Sequence, residues 1–103
     1  MHFAVKSSEV GDTLTISPQG EFDLAGVPEF HRACTDGRDG HPEVVVDLRN
    51  LSFMDAAALR EIVALHERSQ RDVFELTVIA PPHPASRVIE ITRMDERLPL
   101  VRA

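Results

Sequence analysis

Hydrophobic positions change their period several times along the chain, and each change marks an element. From Asp12 to Ser17 apolar and polar residues alternate, with Leu14 and Ile16 on one side. That alternation suits a strand with one solvated face. Phe3-Ala4-Val5 predicts a shorter strand antiparallel to it, with Gly11-Asp12 as the turn. Val27, Phe30, His31 and Cys34 then recur at helical spacing. Pro28 fits the first turn of that helix, where its missing N–H costs nothing. Val44-Val45-Val46 is a continuous β-branched run, which predicts a strand buried on both faces. Ala58, Leu59, Ile62, Leu65 and His66 form the apolar stripe of a second helix, whose interior holds no Gly or Pro. Leu76 to Ala80 reads as another strand, and Ala85, Val88, Ile89 and Thr92 as a third helix opening after Pro84. Pro99-Leu100-Val101 ends the pattern as a short strand. The predicted order is β-β-α-β-α-β-α-β, an α/β fold on a mixed sheet of about four to five strands with right-handed crossovers. Two stretches, 36–42 and 81–84, are rich in Gly and Pro and read as loops, since neither flank could hold a core alone.

Composition narrows the function. The chain has 103 residues, which predicts one domain spanning 1–103. Apolar residues make up 43% and charged residues 27%, enough of the former to build a core. The formal charge of −6 repels phosphate backbones and anionic membrane surfaces, which argues against direct nucleic-acid binding and membrane association. No apolar run approaches the ~20 residues needed to span a bilayer. Met1 to Lys6 lacks the pattern of a signal peptide. Cys34 is the lone cysteine and has no internal disulfide partner, so a reducing, cytoplasmic setting is expected.

The stretch from Val44 to Leu59 carries the most information. A strand ends at Asp47-Leu48, a loop follows, and Asp55 stands before the long helix, where its carboxylate can cap backbone N–H groups. In open α/β sheets, ligands and partners meet the carboxyl ends of the strands. Gly20-Glu21-Phe22-Asp23, Asp47-Leu48 and Leu51-Ser52-Phe53-Met54-Asp55 together resemble the STAS domain, and among its members the bacterial anti-sigma factor antagonists. The resemblance runs from Leu14 to Val101 and agrees with the element order. It implies a non-catalytic regulatory module that binds an anti-sigma factor, often a serine kinase of the GHKL type, or another signalling protein. In such relatives the kinase phosphorylates a Ser or Thr directly after the motif's Asp and so breaks the complex. Here that position is Ala56, followed by Ala57, with Ala58 where the family usually has Gly. Alanine has no hydroxyl, so the resemblance implies a docking surface locked as if unphosphorylated. A phosphoryl group would add about −1.5 to −2 charges beside Asp55.

The partner surface expected from this resemblance comprises Asp23, Ser52, Phe53, Met54, Asp55, Ala56, Ala57 and Arg60. Asp23 and Asp55 also fit the simpler role of turn or cap residues. Of Phe53 and Met54, at least one is expected in the core. Ser52 suits a hydrogen bond to backbone, and Arg60, one turn into the helix, suits a solvated position from which its charge tunes partner choice. His31 and Cys34 share a helix face, but two ligands do not make a zinc site. His66 is expected to be a satisfied, partly buried histidine. No nucleophile elbow and no Gly-rich phosphate loop is legible, so neither an enzyme nor a cofactor is expected. Two alternatives stay open: a STAS subunit of an ABC-type lipid transport assembly, and a self-complementary surface that forms a homodimer.

Overall fold

A computed structural model describes residues 2–37 and 41–102. The loop expected at 36–42 therefore lies partly outside the described residues. The first hairpin pairs β1 (Phe3–Val10) with β2 (Thr13–Phe22) around Gly11-Asp12, and Gly11 takes a positive φ. A 3-10 turn (Leu24–Gly26) leads into α1 (Val27–Gly37). Next come β3 (Glu43–Asp47), β4 (Leu51–Met54), α2 (Ala56–Asp72) and β5 (Glu75–Ile79). A short α3 (Arg87–Thr92), a second 3-10 turn (Met94–Glu96) and β6 (Leu100–Val101) complete the described chain.

The sheet runs β1-β2-β3-β5-β6. Only the first pair is antiparallel; β2, β3, β5 and β6 are parallel neighbours. Register places Leu14 beside Val44 and Val44 beside Leu76, with Ile16, Val46 and Val78 in the next such row. These six side chains are buried and join Phe30 and Cys34 of α1, Leu59, Ile62 and Leu65 of α2, and Ile89 of α3 in one core. The intervening row, Thr15-Val45-Thr77, is only half-buried. Val45 thus corrects the expectation of a strand buried on both faces. The helices contribute to the core on the other face, and the run of valines reflects β propensity more than two-sided burial.

The sixth strand, β4, occupies the segment expected to be a loop. It pairs parallel with the end of β2, on the same edge as β3 and beyond the stretch that β3 occupies. Residues 13–16 of β2 pair with β3 and 20–22 with β4, so Pro18 faces the gap between the two. A proline inside a strand is tolerated where no ladder bond is required of it. The alternation of β4 is broken by a bulge: Gly20 pairs with Leu51, but Glu21 pairs with Phe53, leaving Ser52 as the extra residue. Ser52 and Phe53 are consequently both exposed, while Leu51 and Met54 are buried.

Candidate functional site

Two parallel strands deliver two carboxylates to the same end of the sheet. Asp23 follows β2 and Asp55 follows β4, and the Asp55 N–H donates to the Phe22 carbonyl at 3.2 Å. Each side chain caps the turn or helix it precedes. Asp23 Oδ1 accepts from the Ala25 N–H at 3.0 Å, and Asp55 Oδ1 accepts from the Ala58 N–H at 3.0 Å. Both residues have the extended backbone expected of a helix N-cap. The cap reading of both residues therefore holds, and it fixes both carboxylates in place.

Gly20 makes the close approach behind this end possible. Its φ is +91°, and a Cβ there would collide with the His2 carbonyl. That carbonyl accepts from the Glu21 N–H at 2.9 Å, while the Gly20 N–H donates to the Asn50 carbonyl at 3.1 Å. The Gly20 carbonyl accepts from Ser52 Oγ at 3.2 Å, the backbone bond expected of this serine. Phe22 stacks between Phe3 and Phe30, with ring centroids 5.0 Å away on each side, and anchors the end of β2 in the core. Gly26 lies against Phe3, where a Cβ would come within 2.8 Å of the ring.

Ala56 is the first residue of α2 and is exposed; Ala57 is half-buried and Ala58 fully buried. Phe53 is 47% exposed, whereas Met54 is 4% exposed. Met54 turns inward beside Phe22, so it braces the surface from beneath and does not form it. Arg60 is exposed one turn further along α2, at the rim of an apolar trench of about 420 Å³ that runs from Ala56 past Val63 to Met94. The end of the sheet thus brings together Asp23, Ser52, Phe53, Asp55, Ala56 and Ala57, with Arg60 adjoining. One exposed apolar residue of this end escaped the sequence reading: Leu24, in the 3-10 turn, is 68% exposed. Its position directly after a capping Asp is its sequence signal.

The motif's Asp47 serves the turn between β3 and β4. Its carboxylate accepts from the Arg49 N–H at 3.0 Å and takes both Nε (3.0 Å) and Nη2 (2.9 Å) of the same guanidinium. The Arg49 side chain therefore holds the Asp47 carboxyl below its usual range. Burial pushes the Cys34 thiol up to about 12, which suppresses the thiolate a nucleophile or metal ligand needs. His31 lies 3.4 Å from Glu61, on the neighbouring helix. His66 is partly buried as expected, but its Nδ1 has no hydrogen-bond partner among the described residues, so the expectation of a satisfied ring is corrected. No group of three or more metal-ligating side chains gathers among the described residues. No described helix is long and apolar enough to cross a membrane.

Known proteins match this arrangement. The family model described as "Mlab, STAS domain" matches residues 5–102. The anti-sigma-B factor antagonist of Staphylococcus aureus is 31% identical over 78 residues, covering 75% of this chain and 72% of that protein. The crystal structure of an anti-sigma factor antagonist from Mycobacterium paratuberculosis superposes with a TM-score of 0.83 at 24% identity, covering 96% of this chain and 85% of that one. The Bacillus cell fate determinant SpoIIAA in its phosphorylated form gives a TM-score of 0.74 at 16% identity, covering 97% and 91%. The six-stranded mixed sheet with its three helices is the SpoIIAA-like fold, and the chain belongs to the STAS domain family.

Proposed function

We propose that this chain is an anti-sigma factor antagonist that docks on an anti-sigma factor through Asp23, Ser52, Phe53, Asp55, Ala56, Ala57 and Arg60, and that phosphorylation at the family position does not switch it. One observation carries the reading: Ala56 is exposed and opens α2 directly after the capping Asp55. Where the resemblance places a phosphoacceptor, the surface offers a methyl group. A phosphoryl group at a helix N-terminus is favoured by the dipole. Release in phosphorylatable relatives must then act through charge and bulk at the partner surface, not by melting the helix. Without the hydroxyl that release is lost and the docking surface remains. Control then passes to the amount of the protein, or to the partner, which the resemblance suggests is a GHKL-type serine kinase.

The test uses purified anti-sigma factors encoded in the same genome, GHKL kinases included, titrated calorimetrically against wild type, Ala56→Glu and Asp55→Lys. Ala56→Glu should weaken binding by roughly tenfold or more, the factor for ~1.4 kcal/mol. It should not lower the melting temperature and should raise it by a few degrees at most, because an acidic residue in the first helical turn contributes about 0.3–1 kcal/mol. Asp55→Lys should also release the partner, but it removes a cap that contributes about 0.5–2 kcal/mol, so its melting is measured alongside. With ATP, the kinase should leave the wild type unphosphorylated and act on Ala56→Ser. Phosphate on Ser52 of the wild type, or undiminished binding by Ala56→Glu, overturns the proposal. Stable association with the membrane ATPase of a lipid transport assembly would replace it with the transporter reading. Mass doubling in light scattering that Ala56→Glu abolishes would replace it with the homodimer.

A further inference from the structure

Leu24 stands on a capped turn. The Asp23 carboxylate caps the turn through the Ala25 N–H, and the Gly26 N–H closes it on the Asp23 carbonyl at 3.0 Å. Gly26 is buried, with its Cα pressed so close to the Phe3 ring that no larger residue fits without a shift. On this turn the Leu24 side chain is 68% exposed. Scattered exposed hydrophobics are ordinary on a protein surface. Leu24 differs in standing on a turn whose backbone is capped and hydrogen-bonded, and in sharing the carboxyl end of β2 and β4 with the half-exposed Phe53. Asp23, Asp55 and Glu21, the last paired with Phe53 across the strands, bring three acidic residues to the same end.

We infer that Leu24 and Phe53 are the two apolar anchors of the docking surface, received by apolar sockets of the anti-sigma factor whose rims are basic and complement the acidic residues of the same end. The inference rests on the function proposed above and adds to it a residue outside the family motif. A side chain on a preformed turn requires no backbone ordering on binding, so its burial is offset only by its own rotamer entropy. Burying a leucine is worth ~1.5–3 kcal/mol, or roughly tenfold to a hundredfold in Kd.

The experiment titrates Leu24→Ala, Leu24→Met and Phe53→Ala against the anti-sigma factor that binds wild type, with Val10→Ala and Val73→Ala as exposed apolar controls elsewhere. Leu24→Ala and Phe53→Ala should each raise Kd about tenfold or more, chiefly through faster dissociation. Leu24→Met should retain most of the affinity, and the two controls all of it. Melting temperatures should stay unchanged for Leu24→Ala, as its side chain supports no core. Wild-type affinity in Leu24→Ala, where Ala56→Glu no longer binds, would overturn the anchor while leaving the proposed function standing. If no anti-sigma factor of the genome binds wild type, the proposed function fails and the anchor with it.

Discussion

Asp47 shows how a motif residue can be structural. In the sequence it reads as half of the Asp-Leu signature; in the fold it locks the β3–β4 turn by a bidentate contact with the Nε–Nη2 edge of the Arg49 guanidinium. Its carboxyl is held below the ordinary range by the Arg49 hydrogen bonds. A depressed folded-state pKa contributes stability that is present above the unfolded value and lost as pH falls through the folded one. Replacing Arg49 with Met should return the Asp47 titration, followed by carboxyl-carbon NMR, upward to the vicinity of the 3.8 of an unperturbed Asp. The acid limb of unfolding should move towards higher pH. An Asp47 that titrates alike in both proteins would show that the pair is not formed in solution. Leu24 teaches the complementary lesson. Apolar patterning assigns leucines to cores, and only the fold reveals one exposed on a capped turn.

Elements with regular periodicity were legible, and the irregular ones were not. The stripe of α2 and the rows of β2, β3 and β5 follow directly from spacing. β4 escaped because its bulge puts Ser52 and Phe53 on the solvent side in succession, which erases the period of two. β1 runs to Val10, beyond the predicted Val5, because its outer half is polar and takes its conformation from pairing with β2. The end of α2 carries strain that no pattern reveals. Val73 closes that helix at φ 55°, a left-handed conformation that costs a β-branched residue about 1–2 kcal/mol. Its side chain is 85% exposed, so little packing would be lost with it. Val73→Gly should raise stability by about 1 kcal/mol, seen as a rise in melting temperature of roughly 4–8 °C. A fall would mean that the valine side chain stabilises the turn into β5.

At the scale of the whole molecule, the described chain packs into extents of 33 × 29 × 23 Å around one core. With a charge of −6, its field extends beyond the docking end. If the partner's sockets are rimmed by basic groups, association is steered and salt-sensitive. The association rate should fall several-fold as ionic strength rises from about 0.05 to 0.3 M, where the Debye length shortens to below ~8 Å. Dissociation should change less. A rate indifferent to salt would point to a partner face without basic character. Topology explains why the fold and the meeting of the two Asp residues were legible together. A parallel β2–β4 pair must finish at one end, so two Asp residues that each follow a strand become neighbours although 32 positions apart in the chain.

The hydrogen bond between the His2 carbonyl and the Glu21 N–H has a practical consequence. It moors the start of the described chain two residues short of Asp23. Anything spliced ahead of His2, such as an affinity tag or a fluorescent fusion, would emerge beside the proposed contact face. β6 lies at the opposite margin of the sheet but runs parallel to β2, so a handle attached after it emerges at the same end, across the width of the sheet. Comparing the two placements would report which side of that end is in use.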